Sequence, residues 1–181
     1  MMETIVIEPY DPDWPVLFGE IGRGLRGTLG LTALRIDHIG STAVPGLAAK
    51  PVIDIQVSVG ALEPAGQFRM PLEVAGWTFR ADNPDRTKRY FREAAGARRT
   101  CRWVRRAGSW SEQFALLFRD YLRATPERAA EYAAHKRALA AQYGTDRHGY
   151  TDAKGPFIWA TIQLADEWAK ATGWLPGPSD C

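Results

Sequence analysis

The strongest constraint on the fold is the segment VIDIQVSV at residues 52–59, in which side chains of two kinds alternate. In an extended chain, successive side chains point to opposite faces. One face would carry Val52, Asp54, Gln56 and Ser58, and the other Ile53, Ile55, Val57 and Val59. The alternation predicts a strand with one face in the core and a row of polar groups on the other.

The remaining periodicities predict strands first and helices later. Further strands are predicted at residues 4–8, 35–39, 77–80, 89–92 and 99–104. Helices are predicted from Trp14 to Leu29, after a capping box formed by Ser109 and Glu112, from Pro126 to Gly144, and after a cap at Thr151. This order predicts an α+β domain with a mixed sheet of about five strands and a helical C-terminal half.

Length and composition predict a single domain. The chain has 181 residues and a formal net charge of +2, and we expect one domain over residues 1–175 with a disordered tail over residues 176–181. No apolar run reaches the roughly 18 residues of a membrane span. Cys101 and Cys181 fit neither a disulfide framework nor a metal-ligand spacing. We therefore expect a cytoplasmic protein that contacts no membrane.

The segment HIGSTAVPGLAAKPVIDIQV at residues 38–57 contains the candidate site. Gly40-Ser41 follows a predicted strand, and glycine permits a close approach of the backbone to a ligand. The backbone N–H groups there, with the hydroxyls of Ser41 and Thr42, suit a phosphate group. Asp54, on the next strand, is an oxygen ligand of the kind that Mg²⁺ prefers.

A Gly-Ser pair followed about a dozen residues later by an aspartate on an alternating strand resembles the nucleotidyltransferase superfamily. The longer string IGSTAVPGLAAKPVIDI resembles the GrpB family within it. The segments YDPDWP, LFRDYLR and DRHGYTDAKGPFI agree, so the resemblance extends from about Ile5 to Ile162. It implies a nucleotidyltransferase-like fold and a protein that binds a nucleotide or phosphorylated substrate, with metal-dependent or modified group transfer as the expected chemistry.

The resemblance also implies roles for individual residues. Asp54 and Ser41 would be catalytic, and Asp54 and Gln56 would occupy the metal positions. The phosphate-binding set would be Gly40, Ser41, Thr42, Lys50, Arg89, Arg99, Arg102 and Lys154. Two departures are evident. Active nucleotidyltransferases carry a second acid where this chain has Gln56, and the family's His-Leu-His-Val-like strand is replaced by Cys101-Arg102-Trp103-Val104.

Basic residues are concentrated between Arg86 and Arg106. They are Arg86, Lys88, Arg89, Arg92, Arg98, Arg99, Arg102, Arg105 and Arg106, against the single acid Glu93 and interleaved with Tyr90, Phe91 and Trp103. Arginines beside aromatic rings suit phosphate and base contacts. A hairpin beside the Asp54 strand would therefore suit tRNA or another RNA.

Each of these residues also has a purely structural interpretation. Gly40-Ser41 can be a tight turn, and Asp54 can be paired with Lys50. His38 is expected to pack beside the turn, and Asp146 to form a structural ion pair, whereas Lys154 suits phosphate as well as a carboxylate. At the level of function, a non-catalytic nucleotide- or RNA-binding module and an accessory protein with a protein partner are the alternatives to an enzyme.

Overall fold

The computed structural model describes residues 4–94, 96–97 and 99–181. The strands in this part of the chain are β1 (Arg35–Ile39), β2 (Ile53–Val59), β3 (Thr78–Phe79), β4 (Lys88–Arg92) and β5 (Thr100–Arg106). The helices are α1 (Asp13–Leu29), α2 (Gly66–Val74), α3 (Trp110–Ala124), α4 (Pro126–Tyr143), α5 (Arg147–Ala153) and α6 (Gly155–Thr172). The fold is α+β with a helical C-terminal half, as the sequence predicts.

The strands form one mixed sheet in the order β1-β2-β5-β4-β3. β2 and β5 are parallel, and the other neighbouring pairs are antiparallel. β4 and β5 of the basic segment therefore pair with each other, and β5 lies directly beside the Asp54 strand, which is the arrangement on which the RNA hypothesis depends. Asp54 lies opposite Cys101 on β5, and Gln56 lies opposite Trp103.

The two faces of the sheet differ as the alternation in β2 predicts. The apolar face packs under α1 and α2, where Trp14, Phe18, Phe68 and Leu72 join the four buried aliphatic residues of β2. Burial of this face drives folding, since it removes a large apolar area from water. The other face carries Asp54, Gln56 and Ser58 toward the C-terminal helices. A second apolar cluster, which includes Leu47, Leu122 and Tyr132, joins the segment after β1 to α3 and α4.

Caps determine where several helices begin. The Ser109 hydroxyl accepts from the N–H of Glu112 at the start of α3, as predicted. The Glu112 carboxylate accepts from the N–H of Gly108 rather than from that of Ser109, so the second bond of the predicted capping box is shifted by one residue. Asp146, not Thr151, is the cap of the next helix, and α6 starts separately after Lys154.

Three segments differ from the sequence-based expectations. Residues 4–8 form no regular strand; Glu8 forms an isolated bridge with Ala49, and the N–H of Ile5 donates to the carbonyl of Gly144. Helix α2 was not predicted, because within its nine residues only Phe68 and Leu72 are buried and Pro71 interrupts the helical signal. Residues 176–181, for which disorder was expected, instead run along the edge of β1.

Hydrogen bonds hold this C-terminal segment on the sheet. The N–H of Cys181 donates to the carbonyl of Ile36 at 3.1 Å, and the N–H of Ile36 donates to the Ser179 hydroxyl at 2.8 Å. The Asp180 carboxylate accepts from the N–H of His38 and from the Arg119 guanidinium, both at 2.9 Å. The segment satisfies backbone groups that an edge strand would otherwise leave unpaired.

None of the helices in the described part of the chain combines the length and the apolar character needed to cross a bilayer.

Candidate functional site

A cleft of about 240 Å³ opens where β2 and β5 begin, between the Gly40 turn and the helices α4 and α5. It contains most of the candidate residues. Its lining consists of Ser41, Thr42, Ala49, Lys50, Val52, Asp54, Arg99, Cys101, Trp103, Lys136, Tyr150, Thr151 and Lys154. A neighbouring hollow of about 360 Å³, lined in part by Ile5, Val6 and Pro51, shares Lys50, Val52 and Arg99 with it.

Gly40 and Asp54 are in direct contact. Gly40 has φ 72° and ψ −171°, a conformation that is essentially restricted to glycine. A Cβ atom at this position would lie 2.6 Å from Oδ2 of Asp54. Both the turn and the neighbouring aspartate therefore require a glycine at this position. Gly40-Ser41 and Asp54, which are separate in the sequence motif, pack against each other in the fold.

Asp54 is half-buried, and its pKa is raised above the usual range because burial disfavours the charged form. Lys154 and Lys50 act in the opposite direction, as does a hydrogen bond from the Cys101 thiol. The structure records no salt bridge between Asp54 and Lys50 among the residues that it describes. Lys50 instead places its ammonium 4.8 Å from the centre of the Tyr150 ring.

Three lysines line this cleft, and we call Lys50, Lys136 and Lys154 the lysine cluster. Burial lowers the pKa of each, and neighbouring cations act in the same direction. For Lys136 and Lys154 these cations include other members of the cluster, whereas for Lys50 the main one is Arg147. Within the described residues none of them makes a salt bridge, although Asp54 is close enough to Lys50 and Lys154 to favour their charged forms. The cleft therefore concentrates positive charge around a single carboxylate.

The hydroxyl of Thr42 is already engaged within the turn. Thr42 is buried and donates to the carbonyl of Val52 at 3.1 Å, and it lies 3.0 Å from Nε2 of His38. The ring of His38 stacks on Phe18, and burial lowers its pKa to about 3, so His38 is a packed neutral imidazole, as expected. Thr42 was predicted to hold phosphate, but its hydroxyl serves the turn. Ser41 lines the cleft, where its hydroxyl is near enough to Tyr132 to oppose in part the rise in the pKa of that tyrosine.

The residues present do not fit a resident Mg²⁺ ion. Gln56, the second predicted metal position, is fully buried, and its side-chain oxygen accepts from the Arg105 guanidinium. Asp37 faces the same side but is held by Arg35 in two hydrogen bonds of 2.8 and 3.1 Å. No group of three His, Cys, Asp or Glu side chains that could hold a metal occurs among the described residues. The single carboxylate of Asp54 supplies too few oxygen ligands for a divalent cation, and the two lysines beside it repel one.

The arginines predicted to bind phosphate are divided between the two faces of the sheet. Arg99 lines the cleft and lies 4.0 Å from Glu93. Arg102 is fully buried on the apolar face, where it lies against the Trp77 ring and donates to the Thr100 hydroxyl. Arg89 pairs with Glu63 at 2.7 Å on that same face. Neither Arg102 nor Arg89 reaches the cleft, because alternate residues of a strand point in opposite directions.

The hairpin does not form one continuous basic surface in the part that the structure describes. Lys88 pairs with Asp85 at 2.8 Å. Arg105 is buried against Gln56, whereas Arg106 is exposed. Arg98, the remaining member of the predicted RNA surface, lies outside the described residues.

Sequence reasoning missed Lys136 and underestimated Tyr150. Lys136 follows Tyr132 by four residues and precedes Leu139 by three, so it occupies the buried stripe of α4. The sequence signal that could have identified Lys136 is a lysine at helical spacing from apolar residues that are expected to be buried. Tyr150 is completely buried, and its hydroxyl has no hydrogen-bond partner within the described residues. The departures at Cys101 and Trp103 also fall inside the site, since both residues line the cleft.

The fold and the cleft define an α+β protein with a lysine-lined cleft at the head of a mixed sheet. The model of the GrpB protein family matches residues 4–164, and the chain belongs to that family. The crystal structure of the conserved protein GrpB from Enterococcus faecalis is similar, with a TM-score of 0.80 and 30% identity over 90% of this chain and 99% of that one.

Curated relatives agree with this placement. The UPF0157 protein YqkA of Bacillus subtilis is 34% identical over 95% of this chain and 50% of its own length. A dephospho-CoA kinase of Mycolicibacterium paratuberculosis is 36% identical over 93% of this chain and 47% of its own length. The chain thus spans about half the length of these two curated relatives.

Proposed function

We propose that this protein binds a nucleotide or another phosphorylated small molecule in the cleft, with the phosphate held by the lysine cluster. The observation that carries the proposal is the convergence of Lys50, Lys136 and Lys154, none with a salt bridge in the described structure, around the single carboxylate of Asp54. Holding like charges together in a half-buried cleft is unfavourable without an anion. A bound phosphate would supply the missing counter-charge.

The buried hydroxyl of Tyr150 supports the same proposal. A buried polar group without a partner costs about 1–3 kcal/mol, so such groups call for a specific explanation. Lys50 and Lys154 both place their ammonium groups against the Tyr150 ring, at 4.8 and 5.0 Å from its centre. A phosphate oxygen held by these lysines would accept a hydrogen bond from the Tyr150 hydroxyl.

We further propose that this binding does not need Mg²⁺. In metal-dependent phosphoryl transfer, bound metals neutralise the charge of the phosphates. Here the lysines would neutralise the phosphate charge instead of a metal ion. The position of the second carboxylate is occupied by Gln56, which is hydrogen-bonded to Arg105. In a bound complex Asp54 would be available to accept a proton from an acceptor hydroxyl, and its raised pKa suits a general base. The proposal therefore includes group transfer as the reaction that the chain catalyses.

The relatives' names suggest which ligands to test first. Dephospho-CoA kinase is named for a nucleotide-derived substrate, and half of that protein matches this chain. Nucleotides and coenzyme A precursors are therefore the leading probes. RNA binding is the less favoured function, because Arg89 and Arg102 face away from the cleft and Lys88 is paired.

The test is the shift in melting temperature of the purified chain with nucleoside mono-, di- and triphosphates, coenzyme A precursors and tRNA, each with Mg²⁺ or with EDTA. A ligand that binds only the folded state raises its stability by mass action. We expect a shift with a phosphorylated small molecule in EDTA, reduced in Lys154→Met and Tyr150→Phe. Lys170→Met is the matched control, because Lys170 is an exposed lysine of α6.

Two results would contradict the proposal. One is the absence of a shift with every phosphorylated small molecule, and the other is a shift that Lys154→Met leaves unchanged. A shift with tRNA alone that disappears at high salt would favour the RNA-binding module instead.

A further inference from the structure

Lys136 differs from the other two members of the lysine cluster in its surroundings. It is 3% exposed, whereas Lys50 and Lys154 are half-buried. Its Nζ donates to the carbonyl of Ala48 at 2.5 Å and lies 4.7 Å from the centre of the Tyr132 ring. The residues that the structure describes include no carboxylate in a salt bridge with it. Lys136 is thus a buried amine with one neutral hydrogen-bond acceptor.

Positive charges face Lys136 from several directions. Lys50 approaches from the segment before β2, Lys154 from the junction of α5 and α6, and Arg137 from α4 itself. The tyrosines Tyr132 and Tyr150 face the same space, and burial raises the pKa of both. Across the cleft lie Asp54 on β2, Cys101 on β5, and Arg99, which is near Glu93.

These surroundings make the proton of Lys136 easy to lose. Burial, reinforced by the repulsion of Lys154, Arg137 and Lys50, lowers its pKa to about 7. The amine is then largely neutral just above neutral pH, while Lys154 and Lys50 remain the cations that most favour the ionised form of Asp54. With those two charged, Asp54 ionised and the charge of Arg99 balanced by Glu93, the cleft carries a net charge of about +1, and a proton on Lys136 makes it about +2.

We propose that the cleft selects a dianionic phosphate, as in a phosphomonoester, and that Lys136 takes up a proton as this dianion binds. This inference rests on the proposed function, since it names the ionic form of the phosphate that the lysine cluster holds. A dianion balances the cleft when all members of the cluster are charged. A phosphodiester monoanion is already balanced when Lys136 is neutral, so Lys136 would bind no proton and would add no charge to the attraction.

Isothermal titration calorimetry tests the proposal with AMP as the probe, at pH 8 in two buffers of different ionisation enthalpy. The phosphate of AMP is fully dianionic at this pH, because the second pKa of a phosphomonoester is about 6. Sulfate is the second probe, since it stays a dianion throughout, and dimethyl phosphate is the monoanionic comparison. We expect uptake of roughly one proton with AMP and with sulfate, and at least about tenfold weaker binding of dimethyl phosphate.

Substitutions of Lys136 identify the group that takes up the proton. Lys136→Arg keeps a permanent charge, so it should bind AMP without proton uptake. Lys136→Met should also lose the uptake and bind AMP about tenfold or more weakly, whereas Lys170→Met should behave like the wild type. Circular dichroism of Lys136→Arg and Lys136→Met confirms that each variant is folded.

The outcomes separate the two proposals. AMP or sulfate binding without proton uptake, or uptake that persists in Lys136→Arg, would overturn the role of Lys136 and leave the phosphate cleft intact. Equal affinity for sulfate and dimethyl phosphate would overturn the selection of a dianion. If neither AMP nor sulfate binds and no phosphorylated compound shifts the melting temperature, the proposed function fails together with this inference.

Discussion

At the scale of single residues, the site is built from contacts that couple the turn to the strand. The Asp54 carboxylate packs against the Cα of Gly40, and the Thr42 hydroxyl joins His38 to the carbonyl of Val52. These contacts fix the position of the carboxylate before any ligand arrives. Such preorganisation favours binding because less ordering is required in the complex.

Gly40→Ala tests the contact between the turn and Asp54. The substitution forces an L-residue into a conformation with positive φ and places a Cβ atom 2.6 Å from Oδ2 of Asp54. We expect a loss of about 2–4 kcal/mol in the free energy of unfolding, measured with urea. Gly46→Ala is the matched control, because Gly46 also has positive φ but open space at its Cβ position, so only the backbone strain of about 1 kcal/mol applies. Equal losses in the two variants would contradict the contact.

At the scale of elements, the C-terminal segment completes the sheet by occupying the edge of β1. Asp180 accepts from the N–H of His38 and from Arg119, and Arg119 is buried and also donates to the carbonyl of His38. The segment therefore braces the strand that leads into the Gly40 turn. This link connects the end of the chain to the site through β1.

Asp180→Ala tests this bracing. Loss of two hydrogen bonds, one to a buried guanidinium, should reduce the free energy of unfolding by about 1.5–3 kcal/mol. Asp166→Ala is the comparison, because Asp166 makes an exposed pair with Lys170 on α6 and should cost less than about 0.5 kcal/mol. Urea denaturation of both variants measures the difference, and a loss in Asp180→Ala no larger than that in Asp166→Ala would show that the segment does not hold the edge.

The elements also show what the sequence could predict. The bounds of β1 and the alternation of β2 followed directly from period-two patterns. The orientation of Arg102 was missed, because composition counts an arginine without saying which face of the strand it occupies. The C-terminal segment was missed because its order comes from long-range hydrogen bonds with β1 and α3, which no local pattern reveals.

At the scale of the whole molecule, one face of the sheet stabilises the fold and the other face carries the candidate site. The face under α1 and α2 is apolar and forms the main core, whereas the opposite face collects the ionisable groups between the sheet and the C-terminal helices. Sequence patterns pointed directly to the candidate residues of one segment, Gly40, Ser41 and Asp54, whereas the distant lining residues Arg99 and Lys154 were named only through the basic segment and the family resemblance. Lys136 and Tyr150 reach the cleft from distant parts of the chain, so their roles depend on how the helices pack.

The pH dependence of stability is a property of the whole molecule that follows from the lysine cluster. The pKa of Lys136 falls to about 7 in the folded chain, and those of Lys50 and Lys154 are also lowered. The unfolded chain therefore binds more protons than the folded chain above pH 7, so stability rises with pH there, by at most about 1.4 kcal/mol per pH unit for each group. The thiol of Cys101, with a pKa raised to about 11, acts in the opposite direction from about pH 9.

Urea denaturation of the ligand-free protein between pH 7 and pH 9 measures this slope. We expect the free energy of unfolding to increase over this interval, and to increase less in Lys136→Met. If the free energy of unfolding is constant or falls from pH 7 to pH 9, the folded chain does not hold the ammonium groups of the lysine cluster buried and close together.

The central claim is that lysines, not a metal ion, hold the phosphate. Calorimetric titration of Asp54→Asn with AMP in EDTA tests it directly, because the substitution removes the only carboxylate among the residues that line the described cleft. The account predicts that Asp54→Asn binds AMP in EDTA at least as tightly as the wild type, since the cleft becomes more positive. Binding that requires Mg²⁺ in the wild type and is abolished in Asp54→Asn would contradict the account.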